Sequence, residues 1–442
     1  MTLIDLFNRI PTRIFVALLL LVGTVERTLW NLLRHTPIAA GEAFNVAVAL
    51  ANGFGFADPF RVGQGPTAHL LPIAPAIAGA VYAIFGVGAW PAEFLLACWS
   101  TGLAIGTYLL LFSAFDRLGS SRWARLIALA FACVAPTYIP QETADFRFWE
   151  GGLAVFLCAL FLERLLALQS GKSLHMRSVA GMAGLTALLF FVSPQLGLGA
   201  YACAAMTCVQ RLHGVRLAGA ICLAACALAI FLTPWVIRND IVMGKPILLR
   251  SNAGLELALA NYPGALEASH PLDQYLRRFS KIHPDDDDGA AYQAMRKAGG
   301  EVVYSEQLGE KTWRWIAANP WTTVRLALLH LRDVFAPEAW LFQLTGSGLL
   351  SGLRAELSSL AGLLGLLGLA CALYNRRPNW TYPTFLVVIP ALTFCMFQPL
   401  PRYSYLFYPM LVFCAADFLG SIAEKIALEL SRSKRGAGAE II

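Results

Sequence analysis

Long apolar runs alternate with short polar connectors almost from one end of the chain to the other. Runs of membrane-crossing length fall near 13–31, 91–115, 126–140, 151–168, 179–193, 195–210, 217–236, 353–374, 381–399 and 403–423. About twenty apolar residues wound as a helix match the hydrocarbon thickness of a bilayer. The pattern therefore predicts an all-α polytopic membrane protein of about ten transmembrane helices. One more apolar segment, 69–87, carries Pro72 and Pro75. Prolines there suit a helix start or a bent surface helix better than a straight span.

Positive charge decides how that segment is read, because Lys and Arg gather on the cytoplasmic side of membrane proteins. If 69–87 does not cross, Arg117, Arg122, Arg125, Lys172, Arg177, Arg211 and Arg216 share a side. Arg9, Arg13, Arg376, Arg377, Lys425, Arg432, Lys434 and Arg435 then lie on that same side. The segment is accordingly expected to be a re-entrant or interfacial helix, with both termini cytoplasmic. Two polar segments then face outward, about 32–90 and about 237–350. The second holds a mixed stretch, Asn252 to Pro320, and then an apolar helix pattern over 322–342 broken by Arg325, His330, Arg332 and Asp333. An interfacial amphipathic helix is the expectation there, with a further span as the alternative. The chain divides into an N-terminal membrane module (1–236), an external loop with its interfacial helix (237–350) and C-terminal membrane helices with a tail (351–442).

Composition sharpens this picture. Of 442 residues 57% are hydrophobic and 14% charged, where a soluble domain carries about a quarter charged residues. The net charge of +6 sits in short clusters between apolar runs, which fixes topology and gives no nucleic-acid signal. All ten cysteines lie in apolar segments, so no disulfide framework is implied. Cys222 and Cys226 are one helical turn apart, spaced either to face a metal or to pack as small apolar side chains. Arg9 and Arg13 precede an apolar run without a small-residue cleavage site, which reads as an uncleaved first helix.

Candidate chemistry gathers in the outward segments. Glu42 opens a predicted helix, Gly41–Asn52, that Gly53 and Gly55 end. A carboxylate in a first helical turn stays ionised beside the helix dipole and can accept a proton. A helix-start acid with no further role is the alternative. Glu142, Asp145 and Glu150, with Arg147 among them, occupy a second outward turn that would share a face with Glu42. Arg238, Arg402, Arg61 and His69 run against the topological charge trend, and guanidinium suits phosphate through paired hydrogen bonds. Interfacial anchoring beside Trp235 and Tyr403 is their other reading. The run Asp285–Asp288 lacks the alternating oxygen spacing of a calcium loop. No His, Cys and acid set has convincing ligand spacing, so no cofactor is assigned and a divalent metal is left open.

Three stretches taken in order carry a resemblance. GEAFNVAVALANGFGFADPF, followed by QGPTAHLLPIAPAIAGAVYAIFG, resembles the first external loop of GT-C superfamily glycosyltransferases, among them protein O-mannosyltransferase and lipid A aminoarabinose transferase relatives. TPWVIRNDIVMGKPILLRSNAGLELALANYPGA is similar to the P-W-x-x-R-N, S-N-x-G and G-N-x-P stretch of bacterial members, with Ala260 where Gly is commoner. PRYSYLFYPMLVFCAAD is like the opening of their last span. Many members carry Asp-Glu where this chain has Gly41-Glu42. Relatives with a Lys near the donor phosphate have it where Gly65 or Thr67 stands here, so His69 or Arg61 would substitute.

The resemblance implies an enzyme of the bacterial inner membrane with its active site on the periplasmic side. It would move one sugar from a polyprenyl-phosphate donor to a lipid, glycan or protein hydroxyl, with inversion. Glu42 would be the base, aided by Glu142 and Asp145; Arg238, Arg402, His69 and Arg61 would hold the donor phosphate. Asn239, Asn261 and Tyr403 would touch sugar or acceptor. A transporter or lipid flippase, and a ligase or polymerase of the O-antigen type, are the competing readings. A transporter would want paired repeats and mid-membrane charges, and the sequence shows no internal repeat.

Overall fold

The computed structural model describes residues 11–33, 41–171, 173–267, 270–285, 289–344 and 350–439. Arg9, Lys172 and Asp286–Asp288, all singled out above, lie outside that set, as do the side chains of Arg432, Lys434 and Arg435. Among the described residues the chain is helical without a strand, and one isolated bridge joins Ala57 to Pro66 in the first loop.

The N-terminal half runs α1 (Thr12–Leu33), α2 (Gly41–Ala51), α3 (Ile73–Phe85), α4 (Trp90–Arg117), α5 (Arg122–Val134) and α6 (Ile139–Thr143). A 3-10 turn, Asp145–Arg147, then leads into α7 (Gly151–Gln169), α8 (Met176–Val192), α9 (Pro194–Arg211) and α10 (Val215–Met243). The segment after α10 folds as α11 (Ala253–Ala260), α12 (Pro271–Ile282), α13 (Ala290–Ala298), α14 (Glu301–Ala318), α15 (Pro320–Phe335) and α16 (Ala339–Gln343). The chain ends with α17 (Ser351–Tyr374), α18 (Thr381–Phe394), the short α19 (Pro401–Ser404) and α20 (Tyr408–Ala439).

Five helices, α1, α4, α7, α10 and α17, are long and apolar enough to cross a membrane. A sixth is reached if the run at 126–140 is one span, but it is bent by 69° between α5 and the residues from Ile139 to Arg147. The expected ten require α8, α9, α18 and α20 to cross as well. With 17 and 14 residues, α8 and α18 rise about 26 and 21 Å, less than the ~30 Å hydrocarbon layer. In α9 the apolar run is diluted by Gln195, Thr207, Gln210 and Arg211. The 13 residues of α3 rise only about 20 Å. It packs antiparallel to α2 on the same side of the bundle, where a Cβ on Gly79 would meet Leu50 at 2.8 Å. The segment 320–335 forms α15, whose buried Asp333 and His330 face the protein and whose Trp321 and Leu328 face outward.

Small residues set the helix spacing. A Cβ on Gly365 or Gly368 of α17 would lie 2.6 Å from the Leu411 carbonyl or 2.5 Å from the Cys414 carbonyl of α20. Only glycine allows that backbone approach, the device by which membrane helices pack closely. Two buried charge pairs inside the bundle are closed by hydrogen bonds on every side. Arg27 of α1, 1% exposed, donates to Glu142 Oε2 at 2.8 Å and to the carbonyls of Gly23, Ala132 and Cys133. Tyr108 and Tyr405 close the knot by donating to the other Glu142 oxygen. Arg377 and Ser120 hold Asp417 of α20 in the same way.

Candidate active site

Gly41 opens α2 at φ +51°, a left-handed conformation that glycine adopts freely, and Glu42 follows in the first turn. Two imidazoles face its carboxylate. His283 Nε2 lies 3.4 Å and His69 Nε2 3.8 Å from Glu42 Oε1. Phe279 stacks on His283 with centroids 4.1 Å apart, and Phe60 sets its edge against both imidazoles. The Asp285 amide donates to His283 Nδ1 at 3.2 Å. A neutral His283 ring therefore carries its proton on Nε2, turned toward Glu42.

His69 reaches this position because its loop is clamped from two sides. Glu301, at the start of α14, accepts from the Ala68 amide, Thr67 and Ser251 at 2.7–2.8 Å and from Gln64 at 3.3 Å. Arg238, at the end of α10, donates to the carbonyls of Thr67 at 2.6 Å and Phe56 at 2.5 Å. Its guanidinium also packs over the rings of Phe56 and Trp235.

A cavity of about 310 Å³ opens between the start of α7, the α8–α9 junction, α11 and α19, and its Arg402 and Glu256 lie within electrostatic reach of Glu42. Its charged lining is Arg402, Arg250, Glu150 and Glu256, and Trp149, Phe394, Phe397 and Tyr403 supply aromatic walls. Arg402 lies 3.9 Å over the Trp149 ring, and its Nε has no hydrogen-bond partner. Arg250 pairs with Glu150. Burial pushes the Glu42 carboxyl up, but His283, His69 and Arg402 outweigh it and hold Glu42 below its ordinary value. Burial carries His69 the other way, down to about 3, against the pull of Glu42. Glu256 is raised, first by burial and then by Glu42, with Arg402 and Arg250 opposing. One carboxylate is thus kept ionised and a second inclined to hold a proton, a division of roles suited to acid–base chemistry.

Glu42, His69 and His283 also bring one ligand atom each within 4.8 Å of one another, all buried. Two imidazoles and a carboxylate form a donor set found around zinc. Sequence spacing had suggested no such set, because His283 arrives from the distant segment after α10. Binding through His283 Nε2 would move its proton to Nδ1, and the Asp285 amide contact would give way. The other marked ligand candidates do not assemble: Cys222 and Cys226 are exposed and free.

The remaining expectations divide. Glu142 is in the closed knot with Arg27, both oxygens engaged, instead of beside Glu42. Asp145 sits in the 3-10 turn, within electrostatic reach of Arg354. Glu150 of the same group does line the cavity. Arg238 serves backbone carbonyls, as above, and Arg61 lies over Tyr292 on α13, 5.0 Å from the ring centre. Asn239 is fully buried, donating to the Ile247 carbonyl and accepting from Arg238. Asn261 donates to the carbonyls of Leu257 and Met396. Their amides are taken up by backbone groups that no sequence pattern announces. Tyr403 lines the cavity and stacks on Phe394. Sequence reasoning missed Arg250, Glu256, Trp149 and His283. The first two stand inside the quoted stretch ending NYPGA, where Arg250 and Glu256 flank Ser251-Asn252.

No family model matches the chain, and no curated protein matches it by sequence. Solved structures match its fold. The archaeal oligosaccharyltransferase AglB of Archaeoglobus fulgidus, in complex with an inhibitory peptide and a dolichol-phosphate, superposes over 98% of this chain at 15% identity and TM-score 0.52. An Archaeoglobus fulgidus oligosaccharyltransferase in complex with Zn and sulfate gives 96%, 13% and 0.50. ArnT of Cupriavidus metallidurans, bound to undecaprenyl phosphate, aligns with 93% of this chain and 78% of its own, at 15% identity and TM-score 0.35. The chain spans about half the length of the oligosaccharyltransferase chains, 52% and 51% in the two complexes. Over that length it shares the fold of the archaeal oligosaccharyltransferase.

Proposed function

We propose that this protein is a membrane glycosyltransferase that takes a sugar from a polyprenyl-phosphate donor. The observation that carries the reading is a buried Glu42 held ionised within electrostatic reach of a cavity residue, Arg402, that keeps an unpartnered Nε. The fold supports it: the matching oligosaccharyltransferase binds a dolichol-phosphate. In this account the donor phosphate lies against Arg402 and Arg250, with the first lipid units along Phe394 and Phe397. Charge-assisted hydrogen bonds from guanidinium strengthen as the phosphate leaves and gains charge. Glu42 accepts the proton of the acceptor hydroxyl, the hydroxyl oxygen bonds the anomeric carbon, and the bond to phosphate oxygen breaks on the opposite face. Configuration is inverted in one displacement. Glu256 and Glu150 accept hydrogen bonds from sugar hydroxyls.

A divalent ion, when bound by Glu42, His69 and His283, would supply positive charge against donor or acceptor oxygens. The site is further read as facing the periplasm from the inner membrane, with ten crossings and both termini cytoplasmic. The acceptor class is a lipid, glycan or protein hydroxyl. The direct test incubates the purified protein in vesicles with a panel of polyprenyl-phosphate sugars and measures free polyprenyl phosphate. Release from at least one donor, increased by an acceptor alcohol, is expected. Intact donors across the panel, with and without added zinc, would end this account.

A further inference from the structure

A second large cavity lies at the opposite ends of the helices that frame the first. It offers about 280 Å³ between α7, α8, α9 and α10, bounded by such residues as Leu168, Met182, Ala183, Ala204 and Ala224. No charged side chain lines it, and its polar groups are the hydroxyls of Thr186, Tyr201 and Thr207 and the thiol of Cys208. Nothing in it would recognise a sugar or a phosphate; a hydrocarbon chain is the guest that matches. Val209 and Ile221, 61% and 63% exposed, edge the cavity on the outer surface of the bundle, so a chain can enter sideways.

Its mouth is cationic. The connectors 169–178 and 211–216 contain Arg177, Arg211 and Arg216 and no Asp or Glu. Arg211 caps the end of α7, donating to the carbonyls of Leu168 at 2.8 Å and Gly171 at 2.6 Å. Arg216 is exposed and stands one turn before Ala220, on the side of α10 that lines the cavity. Cations at the rim of an apolar cleft between membrane helices form the pattern that holds an anionic lipid headgroup. The donor phosphate is not that anion. Its proposed place is beside the N-terminal end of α9, and the 18 residues of α9 separate the two ends by about 27 Å.

We propose that this cavity holds an acyl chain of one anionic glycerophospholipid, whose phosphate rests on Arg216 beside Arg211. The site is independent of the transferase reading and would stand if that reading failed. The lipid fills space that α10, whose strongest packing is to α8, leaves open against α7 and α9. One bound lipid would therefore fasten α10, and through Arg238 at its far end the His69 loop.

The test reconstitutes the full chain in vesicles of equal phosphatidylglycerol and phosphatidylcholine, extracts it in mild detergent and counts retained lipid by native mass spectrometry. One phosphatidylglycerol per chain is expected, preferred over phosphatidylcholine by about fivefold, the factor one basic residue contributes near a lipid surface. Arg216→Gln should bring the two lipids to parity while lipid is still retained. Ala224→Phe, on the partly exposed helix, should fill the cavity and abolish retention, with circular dichroism confirming the fold. Equal retention of both lipids by the unaltered protein overturns the proposal, and so does undiminished retention by the Ala224→Phe variant. Displacement of the phosphatidylglycerol by a polyprenyl phosphate also overturns it and assigns the cavity to the donor's tail.

Discussion

Replacing Glu42 by Gln preserves side-chain length and volume while removing both the negative charge and the ability to accept a proton. The surroundings tolerate the exchange. The neighbouring nitrogens stand 3.4 and 3.8 Å away, room enough for a carboxamide in place of the carboxylate. Arg402 retains Glu256 nearby. The melting temperature should therefore stay close to that of the unaltered protein. The chemical step should not survive so well. A positioned general base contributes about 10²–10⁴-fold, or roughly 3–5 kcal/mol of barrier. The assay is single-turnover release of polyprenyl phosphate from a labelled donor in proteoliposomes, with donor affinity measured in parallel. Affinity should hardly move, because the cations assigned to the phosphate remain. Glu42→Asp should recover part of the rate, limited by withdrawal of the carboxylate from its place; such misplacement by about 1 Å can cost 10²-fold. Retention of more than a tenth of the wild-type rate by Glu42→Gln would refute the base assignment.

The same exchange at Glu142 should do the opposite: it leaves Arg27 buried without its counterion, a loss on the order of 3–5 kcal/mol, read as a lower melting temperature and reduced folded yield. Normal stability in Glu142→Gln would show that the knot is not structural. Arg402→Gln should lower kcat/KM about 10- to 100-fold, the worth of one or two charged hydrogen bonds; Arg402→Lys should recover little, because an ammonium neither forks to phosphate nor stacks on Trp149, and a fully active lysine variant would contradict that role. Arg238→Ala should expose the 52–72 loop to proteolysis and slow turnover without changing donor affinity, whereas a selective loss of donor binding would restore its phosphate-binding role. At Glu301, burial raises the carboxyl above its ordinary 4.5, over the opposing hydrogen bonds from Ala68, Thr67 and Ser251. The folded protein thus keeps that proton to higher pH than the unfolded chain, so its share of stability is full below the ordinary value and is lost as pH rises through the raised one. Melting curves of Glu301→Gln across that window should lack this decline, and an unchanged slope would remove Glu301 as its source.

What could be read from the sequence is what chain-local physics determines. The period of apolar residues marks the helices, Gly41 and Gly53 bracket α2 to within a residue of its observed end at Ala51, and Glu42 follows as its first-turn acid. Arg402 stands out because a cation at an outward helix end defies the charge trend. The errors share one cause, partners remote in sequence. Glu142 looked like an outward acid because Arg27, which neutralises it, lies 115 positions away. Asn239 and Arg238 looked available because backbone carbonyls, their actual partners, carry no sequence signature. His283 was overlooked beside an acidic run that drew attention for its charge alone, and the stack on Phe279 that orients it is visible only once α12 is folded.

Pairing separates most buried charges of the bundle from those at the cavity, Arg354 with its unpartnered Nη1 being the exception. Arg27, Glu142, Arg377 and Asp417 are all held by specific partners inside the bundle, and a buried pair already satisfied has nothing left for a ligand. At the cavity between α11 and α19 the arrangement is incomplete. Arg402 has an unpartnered Nε, Glu42 meets imidazoles only at distances beyond an ordinary hydrogen bond, and Glu256 has burial raising its carboxyl. Leaving buried polar groups so poorly served costs stability, and the apolar packing around them could have excluded them altogether. That the chain keeps three such groups together, clamped into place by fully satisfied Arg238 and Glu301, is the physical reason to assign the chemistry here and not to the more numerous charges elsewhere.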